Sequence, residues 1–311
     1  MENIEICNLN ELSYGENVTQ SAALAPIENG IEYEILTDNK ALEYVDYLNL
    51  TRVVEILAEF FDVNAVAIAR ENQLCAAALG SSIDDAYEKI LECDPISISG
   101  STVGFSKVVT LEIAKQLKMM KVRNITAPKI SQDALDYLVQ NSDINVIQIK
   151  SPLQELLGFN HKDIKVTPFG CLIQEQNLSK LTKASFKVAG KTKPTQQQAE
   201  DAIFAWKIAK YLKSKSAVIA KDLSTKAIVQ GKPNGAEAAE QVMDAACENS
   251  KEAVLAIDGV IEHVETVHAA IQGRIGLIIE AGDGANSDKI AKLADKYEIS
   301  LIATGIRNNR Y

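Results

Sequence analysis

The sequence predicts an α/β fold of two duplicated, three-layer units, each a mixed β-sheet with helices on both faces. Short apolar runs of strand length alternate with stretches whose apolar residues recur at helical spacing. The order helix, strand, strand, helix, strand, helix, strand, helix, strand occurs twice along the chain. Strands that alternate with helices usually pair in parallel through right-handed crossovers, so we expect each copy to form one sheet covered by helices.

The first copy of this pattern is expected in residues 52–149. Its helices are predicted by apolar periodicity, and its strands by short apolar runs bounded by polar residues or glycine. The predicted helices are residues 52–61, 83–91, 111–119 and 132–139. The predicted strands are residues 65–69, 74–78, 102–105, 122–126 and 144–149.

The second copy begins with a helix predicted at residues 196–212. Thr195 and Gln198 have the spacing of a capping box, and Phe204 and Ile208 lie on one apolar face. Further helices are predicted at residues 236–247, 260–271 and 287–296, and strands at residues 217–220, 227–229, 253–257, 275–279 and 299–303. The two copies predict domains at residues 1–185 and 186–311, with residues 166–193 as the joining segment.

The charge distribution bears on possible ligands. A net charge of −10 disfavours general binding to nucleic acid. The charge is uneven, because residues 180–232 contain twelve lysines and three carboxylates, a local balance of +9. Two interpretations are open. The segment is a solvated lysine face, as charge runs usually are, or it attracts an anion such as a nucleotide monophosphate or a polyglutamylated folate.

Composition disfavours a membrane or secreted protein, a disulfide framework and a metal site. The chain is 47% hydrophobic, has no apolar run of membrane length and no signal segment at its N-terminus, so we expect a cytoplasmic protein without a membrane partner. Five scattered cysteines without a C-x-x-C pair predict reduced thiols rather than disulfides or zinc ligands. His263 and His268 are five residues apart and share no helix face, and with His161 they are expected to be surface residues, so no metal is expected.

Several segments resemble one known family, in the same order, over nearly the whole chain. They are YGEN at residues 14–17, CDP at 93–95, FAWK at 204–207 and TGIRNNR at 304–310. These segments resemble the AICAR transformylase family, the formyl-transfer half of the bifunctional enzyme of late purine synthesis. The resemblance implies two deaminase-like halves, formyl-tetrahydrofolate as co-substrate, AICAR or a related purine nucleotide as ligand, and a homodimer with active sites between subunits. The family's separate cyclohydrolase half is expected to be absent.

The family's K-H-x-N-P-C-G signature, which supplies the lysine and histidine closest to formyl transfer, is matched by residues 70–76. Arg70 stands at the lysine position, Glu71 stands at the histidine position, and Cys75 is retained. Histidine suits proton transfer near neutral pH, because the best general base has a pKa near the working pH. Glutamate has a reference pKa of about 4.3 and would need burial to act as this base. Arg70 keeps a positive charge that could stabilise charge in the reaction.

Other positions match the family's ligand contacts. Lys215 stands where the family has an asparagine beside the reacting groups, and Ser13 replaces an arginine that holds the nucleotide. The resemblance assigns ligand binding to Tyr14, Gly100, Asp258 and Arg307. Two of the assignments have alternatives: Tyr14 either holds the nucleotide or shapes a turn, and the Gly282 turn before a helix is either ordinary or an anion site. The folate-side aromatic residues are replaced by Val260, Ile261 and His263.

Two functional hypotheses follow. The first is a stand-alone transformylase that passes a formyl group from formyl-tetrahydrofolate to AICAR. The second is a catalytically silent paralogue that binds a purine nucleotide or folate, or pairs with an active relative. Residues that shape the fold are retained while those that do the chemistry are replaced, which favours the second hypothesis for catalysis.

Overall fold

The computed structural model describes residues 6, 8–27, 30–37, 41–158, 162–182, 185 and 187–311. The chain divides into two compact units, Met1–Leu153 and Gln154–Tyr311. The predicted joining segment, residues 166–193, therefore lies in the second unit. The sequence-based domains, 1–185 and 186–311, place the division further along the chain and remain a prediction of domain organisation.

The first unit contains a small ribbon and one sheet. Its strands are β1 (Asn10–Leu12), β2 (Ala22–Leu24), β3 (Tyr33–Ile35), β4 (Asn64–Arg70), β5 (Gln73–Gly80), β6 (Thr102–Phe105), β7 (Asn124–Ala127) and β8 (Asn145–Ile149). Its helices are α1 (Tyr44–Glu59), α2 (Ile83–Leu91), α3 (Leu111–Met119) and α4 (Gln132–Asn141). β1 and β2 form the antiparallel ribbon. The sheet runs in the order β5-β4-β6-β7-β8-β3, with β6, β7 and β8 parallel and the other pairs antiparallel.

The second unit repeats this plan. Its strands are β9 (Asp163–Thr167), β10 (Gly170–Gln174), β11 (Lys187–Val188), β12 (Ala217–Lys221), β13 (Ser224–Val229), β14 (Val254–Ile257), β15 (Leu277–Glu280) and β16 (Ser300–Ala303). Its helices are α5 (Gln196–Ala209), α6 (Gly235–Ala246), α7 (Glu265–Gln272) and α8 (Ser287–Lys296). β9 and β10 form an antiparallel hairpin. The sheet runs β13-β12-β14-β15-β16-β11, with β14, β15 and β16 parallel and the other pairs antiparallel.

Each sheet is covered on both faces. In the first unit, α2, α3 and α4 share one core with Val66, Ile68 and Phe105 of the sheet. Successive residues of a strand point to opposite faces, so Ala65 and Ala67 point to the other side, where α1 packs on β4 and β6. In the second unit α6, α7 and α8 share the corresponding core, and α5 packs on β12 and β14. The predicted fold class is confirmed: both units are three-layer α/β/α structures with mixed sheets.

Local sequence signals account for most element boundaries. The capping box before α5 is confirmed, because Thr195 Oγ1 accepts from Gln198 N at 3.1 Å and Gln198 Oε1 accepts from Thr195 N at 3.0 Å. α1 begins at Tyr44, eight residues before the predicted helix at 52–61, with Glu43 and Asp46 forming another capping box. α7 begins at Glu265 rather than residue 260, because the segment before it is tied to the sheet through Ile261 N and Glu280 Oε2, 3.0 Å apart.

Several short strands were not predicted from the sequence. They are β1, β2, β3, β9, β10 and β11, each between two and five residues long. Within the described residues, no helix is both long enough and apolar enough to cross a membrane.

Candidate functional site

The segment matched to the family's lysine and histidine is the tip of the β4–β5 hairpin. Arg70 pairs with Gln73 across the hairpin, so Glu71 and Asn72 form a two-residue turn. Both turn residues have positive φ, 51° for Glu71 and 59° for Asn72, as a type I′ turn requires. Asn72 N donates to Asn49 Oδ1 of α1 at 2.8 Å, which fixes the turn against the helix. The side chain of Glu71 is exposed, so the burial that a glutamate base would need is not present at this position.

The second unit has the same kind of hairpin turn, held by a side chain of the preceding helix. Asp222 and Leu223 have φ of 55° and 57° at the tip of the β12–β13 hairpin. Asp201 of α5 accepts both of their backbone N–H groups, at 3.1 and 2.7 Å. Burial raises the pKa of the Asp201 carboxyl, and these hydrogen bonds oppose the increase. Because both units build this turn with a polar side chain of the preceding helix, the turn around Glu71 is part of the repeated scaffold.

Tyr14 belongs to a network of charged side chains. Its hydroxyl donates to Glu43 Oε2 at 2.7 Å, and this hydrogen bond raises the pKa of Tyr14. Glu43 Oε2 lies 3.1 Å from Arg123 Nη2. Gly15 N also bonds Gln20 O at 2.8 Å in the turn that follows. The Tyr14 hydroxyl is thus held by a neighbouring carboxylate of the same unit, and the choice between a turn-shaping and a nucleotide-holding role stays open.

Asp46 is the centre of this network. It is 2% exposed and accepts from Arg123 Nε at 2.7 Å, from Arg123 Nη2 at 2.8 Å and from Asn124 Nδ2 at 2.8 Å. Burial alone would raise the pKa of Asp46, but the hydrogen bonds from Arg123, Glu43 N and Asn124 lower it overall. Asp46 therefore fastens α1 to the start of β7 as a carboxylate.

Gly100 lies in the turn before β6. Its φ of 75° is in the left-handed region, and a Cβ added there would meet nothing within 4 Å. Gly100 N donates to Lys121 O at 2.9 Å. Upstream, Asp94 Oδ1 accepts from Ile96 N at 3.2 Å and Ser97 N at 2.9 Å. The open space above Gly100 is compatible with the ligand contact that the resemblance assigns to it.

Asp258 follows β14 in the second unit and is fully buried. Ser214 Oγ donates to Asp258 Oδ2 and accepts from Arg310 N, the latter at 2.9 Å. Among the described residues, no hydrogen-bond partner reaches Asp258 Oδ1. Burial raises the pKa of Asp258, and the Ser214 hydroxyl opposes that increase. Asp258 is thus a buried carboxyl with one oxygen that has no hydrogen-bond partner among the described residues.

Lys215 follows Ser214, the residue whose hydroxyl donates to Asp258, and the peptide bond between Ser214 and Lys215 is cis. Its backbone exchanges hydrogen bonds with Lys232, at 3.1 and 3.0 Å. Its Nζ lies 3.2 Å from Glu262 Oε1. Glu262 comes from the loop between β14 and α7, so the charge of Lys215 already has a carboxylate partner within the unit.

Arg307 is also paired. Its Nε lies 3.1 and 3.0 Å from the two oxygens of Asp283, and its Nη2 lies 2.8 Å from Oδ2. The ion pair lowers the pKa of Asp283. Gly282, with φ of 83°, precedes it, and a Cβ there would lie 2.4 Å from the Ala303 Cβ. The close approach of Gly282 to β16 explains the glycine in this turn and places Asp283 opposite Arg307.

The structure thus sorts the predicted site residues into two groups. Tyr14, Arg70, Glu71 and Gly100 belong to the first unit, and Lys215, Asp258 and Arg307 belong to the second. The second group follows β14 or β16, or precedes β12, at the edge where the parallel strands end. This edge is the usual ligand site of open α/β sheets.

Sequence reasoning missed the acidic partners Glu43, Glu262 and Asp283. A signal for Asp283 was present, because it follows β15 by three residues while Arg307 follows the neighbouring parallel strand β16 by four. The carboxyl ends of parallel neighbours meet at one edge, which brings opposite charges in the two following loops together.

The lysine-rich segment and the histidines are the remaining predicted features. Lys210 and Lys221 of the lysine-rich segment donate to the carbonyls of Ser179 and Lys251, at 3.2 and 3.0 Å. His263 and His268 are exposed, and His161 lies outside the described residues. In the described ranges, no group of three or more His, Cys, Asp or Glu side chains is arranged to hold a metal ion.

Comparisons with known proteins give a consistent set of relatives. A sequence profile of the family described as "AICARFT/IMPCHase bienzyme" matches residues 2–245. The chain is 34% identical over 309 residues to the "Bifunctional purine biosynthesis protein PurH" of Caldicellulosiruptor bescii, covering 97% of this chain and 59% of that protein. It is 32% identical over 310 residues to the protein of the same name from Dictyostelium discoideum, covering 96% and 57%. A third, from Aquifex aeolicus, is 29% identical over 317 residues, covering 100% and 61%. The chain therefore spans about three fifths of the length of these relatives.

Proposed function

The chain belongs to the AICARFT/IMPCHase bienzyme family, and we propose that it is an AICAR transformylase-like protein of purine (IMP) biosynthesis. From the residues of its candidate site we further propose that it no longer transfers the formyl group. It corresponds to the formyltransferase half of the bifunctional proteins. Its role is to bind a purine nucleotide and to interact with another protein copy. It is in this sense a pseudoenzyme with a divergent active site.

The observation that carries this proposal is the position of Glu71. It stands where the family has a histidine, and it occupies an exposed left-handed position in a tight turn. A general base needs a pKa near the working pH, which for a carboxylate requires burial or a neighbouring negative charge. The side chain of Glu71 is exposed and adjoins Arg70 in sequence, so this position does not provide the burial. Arg70 offers a guanidinium group, which stabilises negative charge and is not used as a general base.

The cations of the second unit support the same proposal. Lys215 and Arg307, the two candidates for stabilising anionic groups, are paired with Glu262 and Asp283. Asp283 contacts Nε and Nη2 of Arg307, so a phosphate would compete with Asp283 for this edge of the guanidinium group. We therefore expect nucleotide binding to be weakened rather than abolished, because exposed ion pairs contribute little and are readily exchanged.

The residues at the family's folate-binding positions fit formyl-tetrahydrofolate poorly. A pterin ring is best held by flat aromatic side chains, and this stretch offers Val260, Ile261 and His263 instead. Ile261 is buried and His263 is exposed. We therefore assign a purine nucleotide, AICAR or a close relative, as the retained ligand, and we expect weak binding of formyl-tetrahydrofolate.

The setting proposed for the protein follows from its family. We propose a cytoplasmic protein that forms a homodimer or pairs with an active relative, and that has neither nucleic acid nor a membrane as a partner. Co-purification distinguishes the homodimer from pairing with an active relative, because only the pairing hypothesis predicts that a full-length relative co-purifies with this chain.

A second candidate is an active transformylase that uses formyl-tetrahydrofolate as its co-substrate. Asp258 favours it, because burial raises its pKa and one of its oxygens has no described partner. In this alternative Asp258, rather than Glu71, accepts the amine proton, and Lys215 stabilises the developing charge.

Calorimetric titration with AICAR, followed by a formyl-transfer assay on the same sample, separates the two candidates. The proposal predicts a measurable heat of AICAR binding and no release of tetrahydrofolate. Turnover that is lost in Asp258→Asn would establish the enzyme. If a folded sample shows no AICAR binding and no turnover, the purine nucleotide is removed from the proposal.

A further inference from the structure

The two acids that pair with the cations of the candidate site lie in loops rather than on helices or strands. Glu262 belongs to residues 258–264, between β14 and α7, and Asp283 belongs to residues 281–286, between β15 and α8. We call these two segments the acidic loops. Their two carboxylate side chains are 55% and 52% exposed. Holding an exposed carboxylate beside one cation costs conformational entropy, so the pairing depends on what fixes the two loops.

Glu280, the last residue of β15, is bonded to both acidic loops. It is 1% exposed, and its Oε2 accepts a hydrogen bond from Ile261 N at 3.0 Å. The same carboxylate accepts a hydrogen bond from the backbone of Gly282. Ile261 immediately precedes Glu262, and Gly282 immediately precedes Asp283. One buried side chain thus fixes the residue before each acid.

The acidic loops are also bound to each other. Asn286 Nδ2 donates to Glu262 O at 2.7 Å. A Cβ added at Gly284 would collide with Val260 Cγ1, so the two backbones pack closely. A displacement of one loop therefore disturbs the other, and an anchor shared by both loops acts on both acids.

The acceptor role accounts for an acidic residue at this buried position. Burial raises the pKa of Glu280, the hydrogen bonds from Ile261 and Gly282 oppose the increase, and the negative charge of Asp283 adds to it. An apolar side chain would avoid burying a charge, but it would leave the two backbone N–H groups without their acceptor. The carboxylate is therefore explained by the two loops that it holds.

We propose that Glu280 is a positioning residue, which holds both acidic loops and thereby keeps their two carboxylates paired with the cations of the candidate site. These carboxylates compete with the phosphate of a nucleotide, so Glu280 lowers the affinity for that ligand through the loops rather than by contact with it. The inference rests on the proposed binding of a purine nucleotide at this edge, and it adds a residue that sets the strength of that binding.

The test compares Glu280→Met with Glu280→Gln by calorimetric titration of the full chain with AICAR. Both variants remove the charge, but glutamine keeps an acceptor oxygen for the loop amides and methionine keeps none. Each exposed ion pair is worth up to about fivefold, so release of both loops is expected to strengthen AICAR binding about four- to tenfold in Glu280→Met and less than about twofold in Glu280→Gln. Equal gains in the two variants would mean that the charge of Glu280 acts directly and that its hydrogen bonds position nothing.

The gain should also depend on the acids themselves. When Asp283→Asn is already present, its ion pair with Arg307 is lost, and Glu280→Met is expected to strengthen binding by only a further two- to threefold or so, about the value of one remaining pair. A further gain as large as that in the unaltered chain would show that Glu280 acts independently of Asp283, and it would overturn the inference.

Amide hydrogen exchange, followed by NMR without any ligand, gives a second readout. The amides of Ile261 and Gly282 are expected to exchange at least about tenfold faster in Glu280→Met, and about threefold faster in Glu280→Gln, since a neutral acceptor binds an N–H group less strongly than a carboxylate. The reference is the amide of Gly276, which donates to Ala253 O at 3.0 Å before β15 and should not change. Equal acceleration of all three amides would mean that Glu280 supports the whole unit and does not position the loops. Glu280→Gln keeps this test valid if Glu280→Met does not fold.

The possible results separate this inference from the proposed function. If the unaltered chain binds AICAR and Glu280→Met binds it no more tightly than Glu280→Gln, the positioning role is overturned and nucleotide binding stands. Weaker binding in Glu280→Met would also overturn that role, because the acidic loops would then form the ligand site instead of competing for its cations. If the unaltered chain binds no AICAR, the proposed ligand is removed, and amide exchange alone decides whether Glu280 holds the loops.

Discussion

At the scale of single residues, the second unit pairs each cation of the candidate site with a carboxylate. Arg307 binds Asp283, and Lys215 binds Glu262. In both pairs the two partners lie on different loops at the ends of the parallel strands. Under the proposed function, the phosphate of a nucleotide would compete with these carboxylates for the same cations, so the acidic residues would lower its affinity.

The first prediction concerns Asp283. Asp283→Asn frees Arg307 and is expected to strengthen AICAR binding about two- to fivefold, since both side chains are about half exposed, 52% and 53%, and such pairs are worth little. Titration calorimetry measures the change. The matched control is Asp288→Asn, which removes the same charge from the first turn of α8 without touching Arg307. Equal gains in both variants would mean that net charge alone, and not the ion pair, limits binding.

The second prediction concerns the pH dependence of Asp258. Its folded pKa is raised by burial, so its contribution to stability is fully present below the unfolded value of about 3.9 and is lost as pH rises through the folded value. The unaltered chain should therefore gain stability relative to Asp258→Asn as pH falls from 7 to about 4. Urea unfolding at several pH values measures the difference. Asp244→Asn, which makes the same change at an exposed position, is the matched control. A flat difference for Asp258→Asn would contradict a raised pKa.

At the scale of elements, α1 packs on the sheet through apolar side chains and is also tied to it by the ion pair of Asp46 with Arg123. Asp46→Asn leaves Arg123 with Glu43 alone, and the free energy of unfolding is expected to fall by about 2–3 kcal/mol, below the usual cost because Arg123 is about one third exposed. The folded pKa of Asp46 is lowered, so its stabilisation is present above about pH 3.9 and is lost as pH falls through the folded value.

Chemical denaturation with a matched exposed pair tests this assignment. Glu34→Gln breaks the ion pair of Glu34 with Lys150 at the exposed edge strand β3 and should cost less than about 1 kcal/mol. A loss in Asp46→Asn as small as that in Glu34→Gln would show that α1 is held by apolar packing alone.

Elements with strong local signals were predictable from the sequence. α2, α3, α8 and β6 begin and end at the predicted residues. In α2 and α3 a capping side chain, Ser82 or Thr110, marks the first turn. The start of α1 was not predicted, since its first turns bury Asp46 and Asn49, whose polarity hides the helical face. The β9–β10 hairpin was missed for a related reason: its apolar residues alternate correctly, but they lie in a polar segment and face no core.

The candidate site was predictable only in part. The resemblance located Asp258, Lys215 and Arg307, and the structure places all three near the strand ends of the second unit. Their acidic partners are distant in sequence, so no local pattern indicates them. The resemblance identified the position of Glu71, but the sequence did not predict that Glu71 lies in a type I′ turn with an exposed side chain. Glu-Asn is an uncommon pair in such turns.

At the scale of the whole molecule, the two units share strand order, strand direction and the turn device at the tip of the first hairpin. The scaffold is therefore built twice, and the proposed loss of formyl transfer concerns individual side chains placed on it rather than the scaffold itself, since a fold does not by itself determine function.

The formyl-transfer assay is the most direct test of the central claim. The purified chain, checked for folding and oligomeric state, is supplied with saturating AICAR and formyl-tetrahydrofolate, and the release of tetrahydrofolate is followed beside a full-length bifunctional relative. The account predicts no release above the uncatalysed background. Turnover that disappears in Glu71→Gln or in Asp258→Asn would contradict it, because a carboxylate of this chain would then have taken over the role of the family's histidine.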